Sequence, residues 1–206
     1  MLIWQRSSKL ASTLGFGQNN CQMNSVGWLR FIWKAKLLPE TSYVIEEPYS
    51  IRRAARSEKS QVWALIKSCF AQDACWNDVA ATLIPRLHHG FEEKFAHHRD
   101  IDCLVITNGN RVIAASLVNI EVEAENHLSS GPCISSEYRN RGFGSLLLKE
   151  SLLLAAKARC RIIHGVTRAT SPAAKFVYPK YQGKPSPYTV DLGQPTVGQW
   201  PSALGR

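Results

Sequence analysis

The chain of 206 residues contains no acidic residue before Glu40. The same stretch holds five basic side chains, so it contributes +5 of the formal net charge of +9. The remaining residues hold 20 of the 25 basic and all 16 of the acidic side chains. Because that surplus is small, the charge does not require a nucleic-acid partner.

Long hydrophobic runs and closely paired cysteines are missing as well. No apolar run approaches the roughly 18 residues that a membrane-spanning helix needs, and no signal-peptide core is evident. The six cysteines form no CxxC pair, and three of them lie inside apolar runs. We therefore interpret them as reduced, buried thiols and expect a cytoplasmic protein.

Residues 1–47 differ in composition from the rest, being basic and rich in Ser, Asn, Gln and Trp. Within them, residues 25–36 (SVGWLRFIWKAK) favour a basic, aromatic helix. Three interpretations remain open: a poorly ordered or loosely packed extension, a transit-like or membrane-contacting segment, and upstream sequence before a start at Met23. We expect the first, with low order in this segment.

Regular periodicity runs from residue 48 to residue 192. It predicts a strand, two helices, three strands, a helix, a strand, a short helix and a last strand, with a turn at Asn108-Gly109. The expected ranges are 49–54, 57–70, 76–95 (interrupted at Pro85 and Gly90), 101–107, 111–121, a strand within 127–135, 145–158, 161–167, 171–178 and 188–192. This order predicts an α/β fold with a mixed sheet, followed by a loose tail at 193–206.

A two-glycine turn leads into a leucine-rich helix at residues 134–149 (ISSEYRNRGFGSLLLK). Glycines at a strand-to-helix junction leave backbone N–H groups bare, and these groups bind phosphate together with the positive end of the helix. Arg139 and Arg141 add positive charge. A P-loop is excluded because Ser-Leu follows Gly144, and a Rossmann motif needs a third glycine near Leu147. On the glycines alone, a turn without a ligand is an equal alternative.

The residues around this turn change that balance. Arg139-x-x-Gly142-x-Gly144, between a strand and an amphipathic helix, resembles the acetyl-CoA-binding motif Gln/Arg-x-x-Gly-x-Gly/Ala of the GNAT superfamily of N-acetyltransferases. A second family pattern, Asn-x-x-Ala-x-x-Phe-Tyr-x-Lys, follows the next strand. Its positions here are Ser171, Ala174, Val177, Tyr178 and Lys180. The two matches together, in this element order, make the resemblance strong over residues 49–192.

The chain departs from the family pattern on the acceptor side. Ser171 replaces the usual Asn, and Gln182-Gly183 replaces the usual Gly-Phe. After Gly183 there is room for one strand where the family often has two.

The resemblance implies a mixed, mostly antiparallel central sheet flanked by helices, with residues 48–192 as an acyl-CoA N-acyltransferase domain. It implies direct transfer of an acetyl group from acetyl-CoA, the co-substrate, to an amine of a small molecule or peptide. We expect a monomer or homodimer without a nucleic-acid partner. The cofactor-binding positions would be Cys133, Ile134, Arg139, Asn140, Arg141, Gly142, Phe143, Gly144, Ser171 and Ala174.

Tyr178 matches the general acid of the family, and a phenol with a pKa of about 10 can protonate a departing thiolate. A backbone N–H near Ile134 is the usual oxyanion donor of such enzymes. For the general base we choose Glu121 among the alternating glutamates 121, 123 and 125. A base acting through water, or an amine that arrives neutral, are alternatives. The histidines at 88–89 and 97–98 lack ligand spacing, so we predict no metal site.

Two other classes of function stay open. A non-catalytic acyl-CoA-binding regulatory module would keep the glycine turn without turnover. A basic protein that binds membrane or nucleic acid would depend on residues 1–47. The acceptor of the enzyme cannot be read from residue types.

Overall fold

A computed structural model describes residues 27–39, 45–96 and 102–190. The predicted tail at 193–206 and residues 1–26 of the predicted extension lie outside them. The elements are β1 (Trp28–Lys34), β2 (Tyr49–Arg53), α1 (Lys59–Gln72), α2 (Ala80–Ala96), β3 (Cys103–Asn108), β4 (Arg111–Leu117), β5 (Cys133–Ile134), α3 (Phe143–Lys157), β6 (Ile162–Arg168) and β7 (Lys184–Tyr188). A π-helical turn, Ala173–Val177, lies between β6 and β7.

The strands form two antiparallel sheets, in the orders β2-β3-β4-β5 and β6-β1-β7. Successive side chains of a strand point to opposite faces, and both faces of the first sheet are apolar. Cys103 and Val105 pack with α1 and α2, whereas Leu104 and Ile106 pack with α3. The predicted α/β fold with a mostly antiparallel sheet flanked by helices is therefore confirmed.

The two sheets meet at the segment around His127 and separate beyond it. The His127 N–H donates to the His164 carbonyl oxygen at 2.8 Å, and the Asn119 N–H donates to the His127 carbonyl oxygen at 2.7 Å. Beyond this junction, β5 and β6 are not paired with each other. Their separation leaves an open space between the sheets.

The predicted helix at 25–36 is wrong for Trp28–Lys34, which form the central strand of the second sheet. β1 pairs antiparallel with β6 on one side and with β7 on the other. Phe31 and Trp33, two residues apart, are 1% and 0% exposed, which is the period of a strand. This part of the predicted loose extension is thus a packed strand. It lies in the second sheet, where the sequence left room for only one C-terminal strand.

The last strand lies four residues earlier than predicted, at Lys184–Tyr188. Pro185 and Pro187 made this stretch a poor strand candidate, since proline donates no ladder hydrogen bond. Among the described strands, β7 pairs only with β1 and therefore forms the edge of its sheet. At an edge, the missing N–H groups face away from the partner strand, so prolines are accepted.

The remaining bounds differ less. α2 continues through Pro85 and Gly90, where the sequence predicted interruptions. β4 ends at Leu117 and is shorter than predicted, whereas β5 is a two-residue strand within the predicted range 127–135. The hairpin through Asn108-Gly109 lies where it was predicted.

Candidate active site

α3 begins directly on the two-glycine turn. Gly142 is its N-cap residue, with φ of 84°, a left-handed conformation that glycine adopts without steric cost. No side chain caps the helix there, so the first N–H groups of α3 stay available to a ligand. A Cβ atom on Gly142 would meet no atom within 4 Å. Among the described residues, none therefore fills the space beside Gly142, and the turn is open.

The turn borders a cleft of about 480 Å³ between the two sheets. All the predicted cofactor-binding residues line this cleft except Arg141 and Ala174. Tyr178 lines it too. The structure thus brings the glycine turn and the tyrosine, 36 residues apart in sequence, to one site.

Arg139 is bound by a carboxylate that the sequence did not point to. Its Nη1 and Nη2 atoms lie 2.6 Å and 3.3 Å from the two Asp73 carboxylate oxygens. Its Nε donates to the Ile134 carbonyl oxygen at 3.2 Å. The side chain joins the end of α1 to β5, so its charge is compensated within the protein. Its backbone N–H also donates, to the Ser136 carbonyl oxygen at 3.3 Å, so the geometry gives no support to its predicted role beside a phosphate.

Three predicted residues lie away from the cleft. Arg141 is exposed, and its guanidinium lies 5.2 Å from the centroid of the Tyr138 ring. Ala174 is buried in the core beneath the π-helical turn. Glu121 is exposed. It was predicted to end the strand at 111–121, but β4 ends at Leu117, so Glu121 lies beyond the strand and outside the site. The geometry therefore gives no support to Glu121 as a general base.

The short helix predicted at 171–178 is the π-helical turn. The Ser171 Oγ accepts the Ala174 N–H at 3.0 Å and shares a hydrogen bond with the Thr167 Oγ1 at 2.9 Å. The Tyr178 N–H donates to the Ala173 carbonyl oxygen, five residues earlier, at 2.8 Å. Such wide turns are frequent at functional sites. Ser171 therefore acts here as a cap that starts the turn leading to Tyr178.

Tyr178 is 1% exposed and packs edge-on against Phe31 and Trp33 at centroid distances of 5.3 Å and 5.4 Å. Its hydroxyl points toward Gly131, where a Cβ atom would come within 2.7 Å of the oxygen. Gly131 thus makes room for the hydroxyl, a role the sequence did not indicate. Burial, with a smaller contribution from Cys133, raises the pKa of Tyr178 above its usual range, so the phenol is protonated at neutral pH.

Two cysteines on opposite elements also line the cleft. The Cys69 thiol on α1 donates to the Ile134 carbonyl oxygen at 3.4 Å. A hydrogen bond with Cys133 lowers the pKa of Cys69, and Arg139 lowers it further. The same hydrogen bond and burial raise the pKa of Cys133. The five cysteines of the described residues are all free thiols, and Cys21 lies outside that part.

The free edge of β5 presents a backbone donor to the cleft. The Ser135 N–H donates to the Ile113 carbonyl oxygen of β4 at 2.9 Å. Peptide groups alternate in direction along a strand, so the N–H of the preceding residue, Ile134, points away from β4. Its carbonyl points the same way, as its contacts with Cys69 and Arg139 show.

On the side of α1, the cleft is bounded by an aromatic wall formed by Trp28, Phe70 and Trp76. The Phe70 and Trp76 ring centroids are 4.8 Å apart, and those of Trp28 and Trp76 are 6.0 Å apart. Trp28 reaches this wall because β1 is a strand of the second sheet. The sequence does not indicate this wall, because Trp28 lies in the range 1–47 that was predicted to be an extension.

Two further features concern only the part of the chain that the structure describes. Within it, no helix combines the length and apolar character needed to cross a membrane. The same residues contain no cluster of three His, Cys, Asp or Glu side chains that could hold a metal ion. His97 and His98 lie outside the described ranges.

Comparisons with known proteins agree with this architecture. A comparison with curated proteins found no match. Similar solved structures include a Drosophila melanogaster protein (12% identity, TM-score 0.54, 78% of this chain and 48% of that chain). A functionally unknown conserved protein from Staphylococcus epidermidis has 13% identity and a TM-score of 0.53, over 78% of this chain and 58% of that one. A GCN5-related N-acetyltransferase from Sphaerobacter thermophilus has 10% identity and a TM-score of 0.54, over 79% and 49%.

At these identities the solved structures establish a shared fold. The chain spans about half the length of the structures it matches. A family model gives the more specific result, because the one described as the acetyltransferase (GNAT) family matches residues 61–183. That match covers more than half of the 206 residues. The chain therefore belongs to the acetyltransferase (GNAT) family.

Proposed function

We propose that this chain is an N-acetyltransferase that moves the acetyl group of acetyl-CoA directly to an amine. Membership of the family supports acyl transfer in general. The observation that carries the specific proposal is one cleft lined by both the uncapped, two-glycine start of α3 and Tyr178. The first suits a diphosphate, and the second suits a leaving thiolate.

The residues of the cleft fit acetyl-CoA, which supplies a diphosphate anchor and a reactive thioester when bound. The N–H groups at the start of α3 would hold the diphosphate, aided by the helix dipole. The Lys180 Nζ lies 2.7 Å from the Ser145 Oγ and adds a positive charge beside the first turn. A Cβ on Gly144 would lie 3.5 Å from Val177, so glycine leaves that space to the ligand.

Two groups of the chain would act on the reacting atoms. The Ile134 N–H on the free edge of β5 would stabilise negative charge on the acetyl oxygen, an interaction worth about 3 kcal/mol in comparable sites. The Tyr178 hydroxyl would give its proton to the departing sulfur, and the proton that the attacking amine loses as the amide forms would return to the Tyr178 oxygen. Tyr178 meets the first requirement of that role, because its phenol is protonated at neutral pH.

A dedicated general base is not part of the proposal. Among the described residues that line the cleft, Asp73 is the only carboxylate, it is paired with Arg139, and there is no histidine. Transfer into a poorly solvated cleft disfavours the ammonium form of an amine. The acceptor would therefore react as the neutral amine that this environment selects.

The diphosphate assignment is tested by Gly142→Asp, which places a carboxylate where the phosphates would bind. Gly109→Asp is the matched control, because Gly109 also has positive φ and no atom within 4 Å of a Cβ. Calorimetric titration with acetyl-CoA should show an affinity at least about 10-fold lower for Gly142→Asp only, as expected for like charges at close range. Equal affinities in the two variants, both folded by circular dichroism, would refute the assignment.

The proton-donor assignment is tested by Tyr178→Phe. Turnover should fall by about 100-fold or more, as for loss of a general acid, with the affinity for acetyl-CoA preserved. Tyr188→Phe is the control, since its hydroxyl contacts Glu125 and does not line the cleft. Unchanged turnover in Tyr178→Phe would exclude the role. Acetyl-CoA binding by the unmodified chain without turnover on any amine would favour the non-catalytic module instead.

A further inference from the structure

The cleft has two ends on opposite faces of the first sheet. The α3 end carries the glycine turn and Lys180, and the α1 end carries the aromatic wall of Trp28, Phe70 and Trp76. If the α3 end holds the diphosphate, the wall lies across β5 from it, where an acceptor would approach the thioester. The wall then determines which amine can bind.

The carboxylates next to the wall are both paired with arginine. Asp73 binds Arg139 at 2.6 Å, and Asp78 binds Arg168, also at 2.6 Å. Recognition of a polyamine or a lysine-rich peptide needs carboxylates that are free to bind ammonium groups. Arg139 engages both Asp73 oxygens and Arg168 compensates the charge of Asp78, so neither carboxylate presents an uncompensated charge to an ammonium group.

The Trp28 ring of the wall already faces a cation of the protein. The Arg168 guanidinium lies 5.2 Å from the centroid of the Trp28 ring, and its side chain is only 3% exposed. A ring already facing a buried cation would place a second positive charge near the first. The wall is therefore suited to a neutral, apolar group.

We propose that the acceptor is a primary amine with an aromatic or branched apolar body, and that the aromatic wall binds this body. The inference rests on the proposed acetyltransferase function. Aromatic rings provide large apolar contact area with specific stacking geometry, and Leu83 and Leu87 of α2 extend the same surface. Binding the body also excludes water from the amine, which keeps the amine in its reactive neutral form.

The test compares 2-phenylethylamine with spermidine as acceptors for acetyl-CoA, measured by release of the CoA thiol. We expect kcat/KM to be at least about 10-fold higher for 2-phenylethylamine, the scale on which apolar pockets discriminate. Trp76→Ala should raise KM for 2-phenylethylamine about 10-fold and leave the affinity for acetyl-CoA unchanged. Trp63→Ala is the matched control, because Trp63 is also half-buried but packs on Phe91, away from the cleft.

The outcomes separate the acceptor class from the proposed function. Preference for spermidine, or an equal loss on both amines in Trp76→Ala, would overturn the acceptor class and leave the acetyltransferase standing. Failure to acetylate any amine, with acetyl-CoA bound, would overturn the acetyltransferase and the acceptor class together. The acetyltransferase function and the acceptor class are both supported if the preference for 2-phenylethylamine is lost in Trp76→Ala and kept in Trp63→Ala.

Discussion

Replacing Gly131 by alanine should impair Tyr178 without changing Tyr178 itself. A Cβ at residue 131 would lie 2.7 Å from the tyrosine oxygen, whereas ordinary contact begins at 3.4 Å. The hydroxyl must therefore move by about 0.7 Å, the difference between these two distances. A displacement of this size at a reacting group costs on the order of 10- to 100-fold in rate, and we expect kcat to fall within that range.

The same substitution also strains the backbone, and a control separates the two effects. Gly131 has φ of 63°, and a side chain in this region costs about 1–2 kcal/mol of stability. Gly109 has φ of 56°, and no described atom lies within 4 Å of where its Cβ would be. Gly109→Ala therefore introduces the backbone strain without a contact to a neighbouring side chain. Both variants should be destabilised in urea, Gly131→Ala more strongly because of the added contact, and only Gly131→Ala should lose turnover.

A double-mutant cycle with Tyr178→Phe completes the assay. Without the hydroxyl, the nearest tyrosine atom to the new Cβ is Cζ, at a comfortable 3.8 Å. Gly131→Ala should therefore change the residual kcat little in the Tyr178→Phe background. Full turnover in Gly131→Ala, or the same loss of kcat with and without the hydroxyl, would refute the reasoning.

Two further predictions concern groups with shifted pKa values. Cys133→Ala should slow alkylation of Cys69 by iodoacetamide at neutral pH, followed by peptide mass spectrometry, because the hydrogen bond that lowers the pKa of Cys69 is lost; an unchanged rate would contradict this. The Glu58 carboxylate accepts two hydrogen bonds from Arg52, which lower its pKa. Glu58→Gln should therefore reduce the free energy of unfolding by about 1–2 kcal/mol at pH 7, discounted because Arg52 is partly exposed. This difference in the free energy of unfolding is fully present above the unfolded-state pKa of Glu58, about 4.3. It should disappear as the pH falls through the lowered folded-state pKa, and a difference that persists in acid would argue against the explanation.

The sequence predicted α3 and its glycine turn well because the signals there are local. Glycine at a strand-to-helix junction and leucines at helical spacing act within a few residues of one another. β1 shows the opposite case, since residues 28–34 are a short apolar run whose period alone does not separate helix from strand. Its partners, β6 and β7, lie more than 120 residues away along the chain, and they decide the outcome.

The site divides in the same way. Tyr178 and the glycine turn were predicted from motifs, and the structure brings them to one cleft. The pairing of Arg139 with Asp73 spans 66 residues, and no local pattern indicates it. Gly131 has a positive φ and also makes room for the hydroxyl of a tyrosine 47 residues away along the chain. Contacts of this kind depend on the assembled sheets, so sequence reasoning could not supply them.

The central claim is that the start of α3 binds the diphosphate of acetyl-CoA and so places the thioester beside Tyr178. A crystal structure of the chain with acetyl-CoA tests it most directly. We expect diphosphate oxygens within hydrogen-bond distance of the N–H groups at residues 142–144, since the Ser145 N–H donates to the Gly142 carbonyl oxygen, and we expect the sulfur to face the Tyr178 hydroxyl. A diphosphate bound elsewhere, or a sulfur on the far side of β5 from that hydroxyl, would contradict it.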